Sequence, residues 1–249
     1  MSVNWYSKKV VALGEGLELS EGLEVVYTPA KWELLKKIRL RASKIMASLA
    51  SRMVTPYIYG SVARGDVNSG SDIDVITLAK VSSHSVELAL TFGGFKIHSR
   101  KIAQATPGHT IKAHVYLDAY EKECVTFPLT TFRGLELDFY NFAGFLDLPS
   151  LNADRRVAGC DKRLMLIQPT KRGHVESPVE GREVEVTKVV GASLEIVNER
   201  IRVLKRRRSV GRTGIVLSKS LEEGEVFEDV LRRLAASNPI VRRSLRERG

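Results

Sequence analysis

Apolar residues recur every three or four positions between residues 29 and 53, which predicts an amphipathic helix. Its apolar face is formed by Leu35, Ile38, Ala42, Ile45 and Leu49. Thr28 offers an N-cap, Pro29 suits the first turn, and Pro56 cannot continue the helix. The chain therefore begins its regular structure with one long helix that has a buried side.

Short apolar runs follow this helix and predict strands at 57–59, 72–78, 95–102 and 110–120. The alternation of helix and strands indicates an α/β or α+β unit. Prolines and glycines recur in the next segment, residues 146–176, which predicts a connection with one embedded strand at 163–168. We therefore expect a first domain over residues 1–150 and a second over residues 151–249.

Two helices separated by a glycine are predicted in the second half. A capping box at Ser177–Glu180 begins the first helix, and Gly191 ends it. Ser193 can cap the second, from Leu194 to about Lys205. A glycine-rich basic segment and a strand at 215–219 follow, and a further helix is predicted at 226–234. This order resembles a winged helix-turn-helix domain, with the basic segment as the wing.

Composition indicates a soluble protein with a real core. The chain has 249 residues, of which 43% are hydrophobic, and no apolar run approaches the ~18 residues of a membrane span. Residues 1–10 lack a signal-peptide pattern, and Cys124 and Cys160 lie too far apart for a Cys-x-x-Cys zinc site. We expect no membrane partner and a cytoplasmic location. Few Asn and Gln beside many charged residues hint at a thermophile.

The chemistry-bearing residues lie in two segments around the second predicted strand. Gly60 ends the first strand without a side chain that would block a phosphate, Ser61 adds a hydroxyl donor, and Arg64 adds a cation. Asp72 and Asp74 alternate onto one strand face, roughly 6–7 Å apart. Each motif alone is common in turns or on solvated strands. Together they suit Mg²⁺ bridging the protein and a triphosphate.

In this order the motifs resemble the nucleotidyltransferase superfamily of DNA polymerase β, whose signature is Gly-Ser followed by Asp-x-Asp. The looser organisation of residues 30–120 fits as well. The resemblance implies an α+β fold, a mixed sheet flanked by helices, here followed by the winged-helix domain. It implies an Mg²⁺-dependent enzyme of EC 2.7.7 type with two metal ions, which moves an NMP from an NTP and releases pyrophosphate. The implied nucleotide-binding residues are Gly60, Ser61, Arg64 and Ser71.

The family also uses a third carboxylate, on a later strand, as a catalytic metal ligand beside Asp72 and Asp74. Asp118 is our candidate, because it alternates onto one face with His114 and Tyr116. The alternatives are Glu121 and Glu123. A further alternative is that His114 occupies the family position, which would weaken the second metal site.

Positive charge is concentrated in the second half. The chain carries 39 Lys and Arg against 29 Asp and Glu, a net +10. Residues 1–150 hold 17 basic and 15 acidic side chains, net +2, so residues 151–249 hold the remaining 22 and 14, net +8. This asymmetry suggests a polyanion partner, DNA or RNA, and the alternatives are an ordinary charged surface and a module that docks to protein. The candidate contacts are Arg202, Lys205, Arg206, Arg207, Arg208 and, at the tip of the wing, Arg212.

Three functions remain open at this stage. The first is a nucleotidyltransferase with a nucleic-acid acceptor. The second is a nucleic-acid-binding regulator whose degenerate transferase domain senses nucleotides. The third is modification of a small molecule or protein, with the basic module acting as a docking domain. The third carboxylate distinguishes the first two, since a site without it favours the regulator.

Overall fold

The computed structural model describes residues 22–211 and 214–249. Up to residue 128 the order is β1 (Leu23–Val26), α1 (Pro29–Ala50), β2 (Tyr57–Tyr59), α2 (Ser61–Arg64), β3 (Ile73–Ile76), α3 (Ser83–Phe92), β4 (Ser99–Gln104), β5 (Lys112–Tyr116) and β6 (Glu123–Pro128). The rest of the chain adds α4 (Gly134–Ala143), β7 (Phe145–Asp147), α5 (Leu148–Asn152), β8 (Gly159–Cys160), β9 (Met165–Thr170), β10 (Gly173–Pro178), α6 (Glu183–Val190), α7 (Leu194–Val210), β11 (Leu217–Ser220), α8 (Phe227–Ser237) and α9 (Pro239–Arg248). The part of the chain so described contains no helix long and apolar enough to cross a membrane.

A seven-stranded mixed sheet forms the centre of the fold, in the order β11-β4-β5-β6-β3-β2-β7. β3 and β6 run parallel, and the other neighbours are antiparallel. Ile58, Val75, Val125 and Val115 are register neighbours on one face and are fully buried there. The predicted helix α1 packs against this face and against α3. The opposite face carries Asp74 and is partly covered by a smaller apolar cluster, in which Ile76 packs with Phe132 and Tyr140.

A second sheet has the strand order β1-β10-β9-β8. β1 pairs antiparallel with β10, so a strand near residue 25 completes a sheet formed mostly by residues 159–178. The strand predicted at 163–168 is present as β9, but β8 and β10 flank it, so the prediction that the rest of the segment is a connection was wrong. The capping box was also wrong: Ser177 and Pro178 pair with Leu166 and Met165, and α6 begins at Glu183.

The main core crosses residue 150. Leu217, Phe227 and Val230 are buried in the same cluster as Phe127 and the central strands, and the rings of Phe127 and Phe227 lie 5.4 Å apart. A boundary near residue 150 therefore does not separate two independent cores. The chain leaves the main sheet after β7 and returns to it as β11, because the apolar face of that sheet needs cover from both parts of the sequence.

The helix pair of the second half is present, but the strand after it does not form a wing. Gly191 ends α6 with a φ of 67°, and the Ser193 hydroxyl caps α7 by accepting from the Ile196 amide at 3.3 Å. α7 continues to Val210 and packs against α4. β11, predicted as a wing strand, pairs with β4 at the edge of the main sheet, where Leu217 is buried in the main core. The predicted wing tip at Arg212 lies outside the described residues.

Shared burial predicts that the two halves unfold together. Phe227→Ala would remove a fully buried ring from the common core and lower the free energy of unfolding by about 3–5 kcal/mol. We expect one cooperative denaturant transition, shifted as a whole, by both circular dichroism and tryptophan fluorescence. The matched control Phe92→Ala removes a ring that is 69% exposed and should cost less than about 1 kcal/mol. Two separate transitions, with one of them unshifted, would contradict the shared core.

Candidate active site

The carboxylate pair lies at the start of the central strand β3. Ile73 and Val75 point into the core, so the alternation of the strand turns Asp74 to the opposite face, with Asp72 just before it. Burial and the Asp72 carboxylate raise the pKa of Asp74 to about 6, and Lys162 opposes part of that rise. Neither carboxylate accepts a hydrogen bond from the described residues. A cation between them would relieve both the burial and the repulsion.

The loop before α2 has the conformation that the Gly-Ser motif requires. Gly60 has a φ of 77°, which L side chains rarely adopt, and its amide donates to the Gly144 carbonyl at 2.9 Å. The Ser61 hydroxyl donates to the Ser71 hydroxyl at 3.3 Å, and Ser71 accepts from the Asn68 amide at 2.9 Å. The structure thus brings Gly60, Ser61 and Ser71 together at one end of the cavity.

Arg64 lines the cavity and is also bonded within the protein. Its side chain is buried, and its guanidinium donates to the Ala143 carbonyl at 2.7 Å and forms an ion pair with Asp66 at 2.9 Å. A longer bond reaches the Cys160 carbonyl at 3.4 Å. Arg64 lines the cavity, but its donors hold α2 against the end of α4 and the start of β8. These bonds position the loop, whereas the Arg64 Nε atom is buried and has no hydrogen-bond partner among the described residues.

The two motifs open into one cavity of about 370 Å³. The loop and the carboxylate pair form one wall. The opposite wall comes from elements outside the motif: the residues at the end of α4, the turn after β8, and one face of α7, which together contribute Phe139, Phe142, Ala143, Cys160, Asp161, Lys162, Arg163, Arg200, Leu204 and Arg207. The cavity is therefore lined partly by the predicted loop and carboxylates, and partly by residues that were not predicted from the sequence.

None of the three candidate carboxylates lines the cavity, and the two other acids in its lining, Asp66 and Asp161, are each paired with an arginine. Asp118 does not line the cavity, and its two oxygens accept from the Tyr120 and Glu123 amides at 2.7 and 2.6 Å. The alternatives are also occupied elsewhere, since Glu121 pairs with Lys101 and Glu123 makes a bidentate contact with Arg41. Over residues 22–211 and 214–249, no group of three or more His, Cys, Asp or Glu side chains is placed to hold a metal ion. The expected role of Asp118 thus has no support in its position: it closes a turn after β5.

The position beside Asp74 on the neighbouring strand is taken by Cys124, its register partner in β6. Burial raises the pKa of the Cys124 thiol to about 12, so this thiol is neutral near pH 7. His114 lies one strand further, 3.0 Å from the Thr126 hydroxyl. Burial, aided by Lys112 and Lys101, lowers the pKa of His114 to about 4, so this ring is neutral as well. The sheet face beyond Asp74 therefore adds no negative charge.

The predicted nucleic-acid contacts lie on different sides of α7. Arg202 and Arg206 are exposed to solvent, whereas Arg207 lines the cavity. Lys205 forms an ion pair with Glu180 at 2.5 Å, and Arg208 donates to the Arg163 carbonyl. The sequence missed Phe139, Lys162 and Arg200 as cavity residues. The sequence shows that Arg200, Leu204 and Arg207 share one helix face, but it does not show which surface that face contacts.

Comparison with known proteins agrees with the motif. Residues 40–149 match the family model described as the nucleotidyltransferase domain. The match begins within α1, includes the loop and the carboxylate pair, and ends in α5. Nucleotidyl transfer is therefore the general activity that this segment supports. A search of curated proteins finds no match to the chain.

The raised pKa of Asp74 predicts a stability penalty above pH 6. The folded protein titrates this group near 6 and the unfolded chain near 3.8, so stability falls as pH rises through that window. With a chelator present, Asp74→Asn should raise the free energy of unfolding at pH 8 by about 1–3 kcal/mol. The advantage should disappear below pH 4.

Denaturant titrations at pH 3.5, 5 and 8 measure this difference. The control Glu223→Gln removes an exposed carboxylate in no ion pair with the described residues, and it should leave the curve unchanged. An Asp74→Asn variant that is less stable than the wild type at pH 8 would show that the carboxylate is held by a partner rather than strained by burial.

Proposed function

We propose that the chain is an Mg²⁺-dependent nucleotidyltransferase that moves an NMP from an NTP to an acceptor and releases pyrophosphate. One observation supports this most directly. Two carboxylates that accept no hydrogen bond from the described residues line one cavity together with the Gly60–Ser61 loop and the cations Lys162, Arg200 and Arg207. Such a site suits a ligand that is itself a complex of an anion and a metal ion, as an Mg²⁺-nucleotide is.

Asp72 and Asp74 fit the metal. They supply hard oxygen ligands that face the cavity and are not engaged by other side chains, and Mg²⁺ commonly completes its shell with substrate phosphates and waters. When bound, the metal would neutralise charge on the phosphates and polarise the phosphorus under attack. For the second ion implied by the resemblance, the described residues offer no group of three or more His, Cys, Asp or Glu side chains placed to hold a metal. The proposed chemistry therefore depends on the one Mg²⁺ ion that Asp72 and Asp74 would hold.

The other residues of the loop would orient the nucleotide. The Gly60 backbone leaves open space at the cavity, and the Ser61 and Ser71 hydroxyls lie next to each other there. Held in this way, the α-phosphate is open to an acceptor oxygen. That oxygen forms a bond to phosphorus as the bond to the leaving pyrophosphate breaks, and the acceptor proton passes to solvent.

We propose a nucleic acid as the acceptor. The support is the solvent side of α7, where Arg202 and Arg206 are exposed beside the α6–α7 helix pair. Exposed arginines of this kind bind phosphate backbones. A winged-helix domain would need a wing strand after the helix pair, but β11 pairs with β4 in the main sheet instead. Nucleic-acid binding would therefore depend on the helix pair.

One observation favours a second function, a nucleotide-sensing regulator. The register neighbour of Asp74 is the neutral Cys124, and no carboxylate of residues 111–123 lines the cavity. A site without the carboxylate that activates the acceptor can bind an Mg²⁺-nucleotide and still fail to transfer it. NTP binding without pyrophosphate release distinguishes this function from the first.

Label transfer tests the proposal. The wild type is incubated with Mg²⁺, each α-labelled NTP, and tRNA, DNA or cell extract, and pyrophosphate is measured in parallel. Asp72→Asn and Asp74→Asn should each lower transfer by about 100-fold or more, because each removes a metal ligand. Glu223→Gln, far from the cavity lining, should retain it.

The outcomes separate the two functions. Label in one acceptor fraction, lost in both Asn variants, supports the transferase. NTP binding with neither label transfer nor pyrophosphate supports the regulator. Transfer at the wild-type rate in either Asn variant would contradict the assignment of the metal site.

A further inference from the structure

We propose that Lys162, Arg200 and Arg207 form a cation wall that binds the polyphosphate of the nucleotide. All three lie outside the segment that matches the family model, and the proposal rests on the proposed function. It places α7, which the sequence suggested as a nucleic-acid contact, partly inside the nucleotide site.

Helical spacing divides α7 into two basic sides. Arg200, Leu204 and Arg207 follow one another at intervals of four and three, so they share one face, and all three line the cavity. Leu204 is buried in an apolar cluster that is separate from the main core, and this burial fixes the face against the protein. Arg202 and Arg206 are exposed and do not line the cavity. The helix therefore presents two distinct sets of cations.

Arg200 is held in place with part of its hydrogen-bonding capacity unused. Its guanidinium lies 5.2 Å from the centre of the Phe139 ring, and its side chain is 15% exposed. The Nε atom is buried and has no hydrogen-bond partner in the part of the chain that the structure describes, and the ion pair with Glu199 is long, at 3.6 Å. Burial lowers the pKa of Arg200. Burying a cation with unmade bonds is costly, and an anion in the cavity would relieve that cost.

Lys162 and Arg207 complete the wall. Within the described part of the chain, neither side chain forms an ion pair. Lys162 lies close enough to Asp74 to lower the pKa of that carboxyl against the effect of burial. By contrast, neighbouring cations are engaged: Lys205 with Glu180, and Arg163 with Asp161 and Glu176. The cavity thus keeps three cations that lack a strong partner within the described protein.

This arrangement suits a triphosphate better than a monophosphate. An NTP carries about four negative charges, and one Mg²⁺ on the carboxylate pair would leave about two for protein cations. Arginine binds phosphate oxygens through parallel N–H donors, and such charge-assisted bonds are among the stronger ones in proteins. The wall would also stabilise the charge that collects on pyrophosphate as it leaves.

Equilibrium binding tests the wall separately from catalysis. NTP, NMP and inorganic pyrophosphate are titrated with Mg²⁺ into the full chain carrying Arg207→Gln, Arg200→Gln or Lys162→Gln. We expect each variant to weaken NTP and pyrophosphate binding by about 10-fold or more, and NMP binding by less than about threefold. Arg207→Lys, which keeps the charge, should recover part of the loss.

Two controls match the charge change. Lys219→Gln removes an exposed cation from β11, and Arg246→Gln removes one from α9, and neither residue lines the cavity. Both should bind NTP as the wild type does. Thermal unfolding checks each variant. Because Arg207 is exposed at the edge of the cavity, its substitution tests the wall even where loss of the Arg200–Phe139 contact destabilises the fold.

The outcomes distinguish this inference from the proposed function. If the wild type binds no NTP, the proposed function fails, and the wall fails with it. If the wild type binds NTP and folded Arg207→Gln and Lys162→Gln bind it equally well, the wall is wrong and the proposed function stands. If Arg207→Gln weakens nucleic-acid binding but not NTP or pyrophosphate binding, the cation faces the acceptor, which also overturns the wall.

Discussion

The cavity depends on one buried cation, the Arg64 guanidinium. Its bonds to the Ala143 and Cys160 carbonyls, with its ion pair to Asp66, join three parts of the chain at one point. The loop before α2 is fixed against the end of α4, which carries Phe139, and against β8, which leads into Lys162. Because a buried charge is tolerated when its partners are in place, these elements must assemble together. The loop and the opposite wall therefore have a fixed separation.

The parts of the site that follow from local rules could be predicted from the sequence. A glycine with positive φ before a serine, and two aspartates alternating on a strand, depend on a few neighbouring residues, and the structure brings Gly60, Ser61, Asp72 and Asp74 together. The helix α1 is equally local, since its period and its cap at Thr28 both hold. The segment that matches the nucleotidyltransferase domain, residues 40–149, includes both motifs.

The rest depended on pairings between distant segments. Ser177 and Pro178 satisfy a helix-start pattern, but β10 pairs with β9 and β1, and that ladder outweighs a local cap. Asp118 alternates correctly along β5 but extends past the end of the strand, where its carboxylate closes a turn. The sequence shows that α7 is basic, but it does not show which of its cations face the cavity. Some of the basic side chains form ion pairs inside the protein, as in the buried pair of Arg248 and Glu136 at 3.0 Å.

The central claim is that one cavity holds an Mg²⁺-nucleotide between the carboxylate pair and α7. A crystal structure with Mg²⁺ and a nucleotide whose α–β bridge cannot be cleaved tests it most directly. The account predicts a metal ion in contact with Asp72 and Asp74, phosphate oxygens at the Ser61 hydroxyl, and the β- and γ-phosphates near Arg207 and Lys162. A nucleotide bound elsewhere, or one whose phosphates point away from α7, would contradict it.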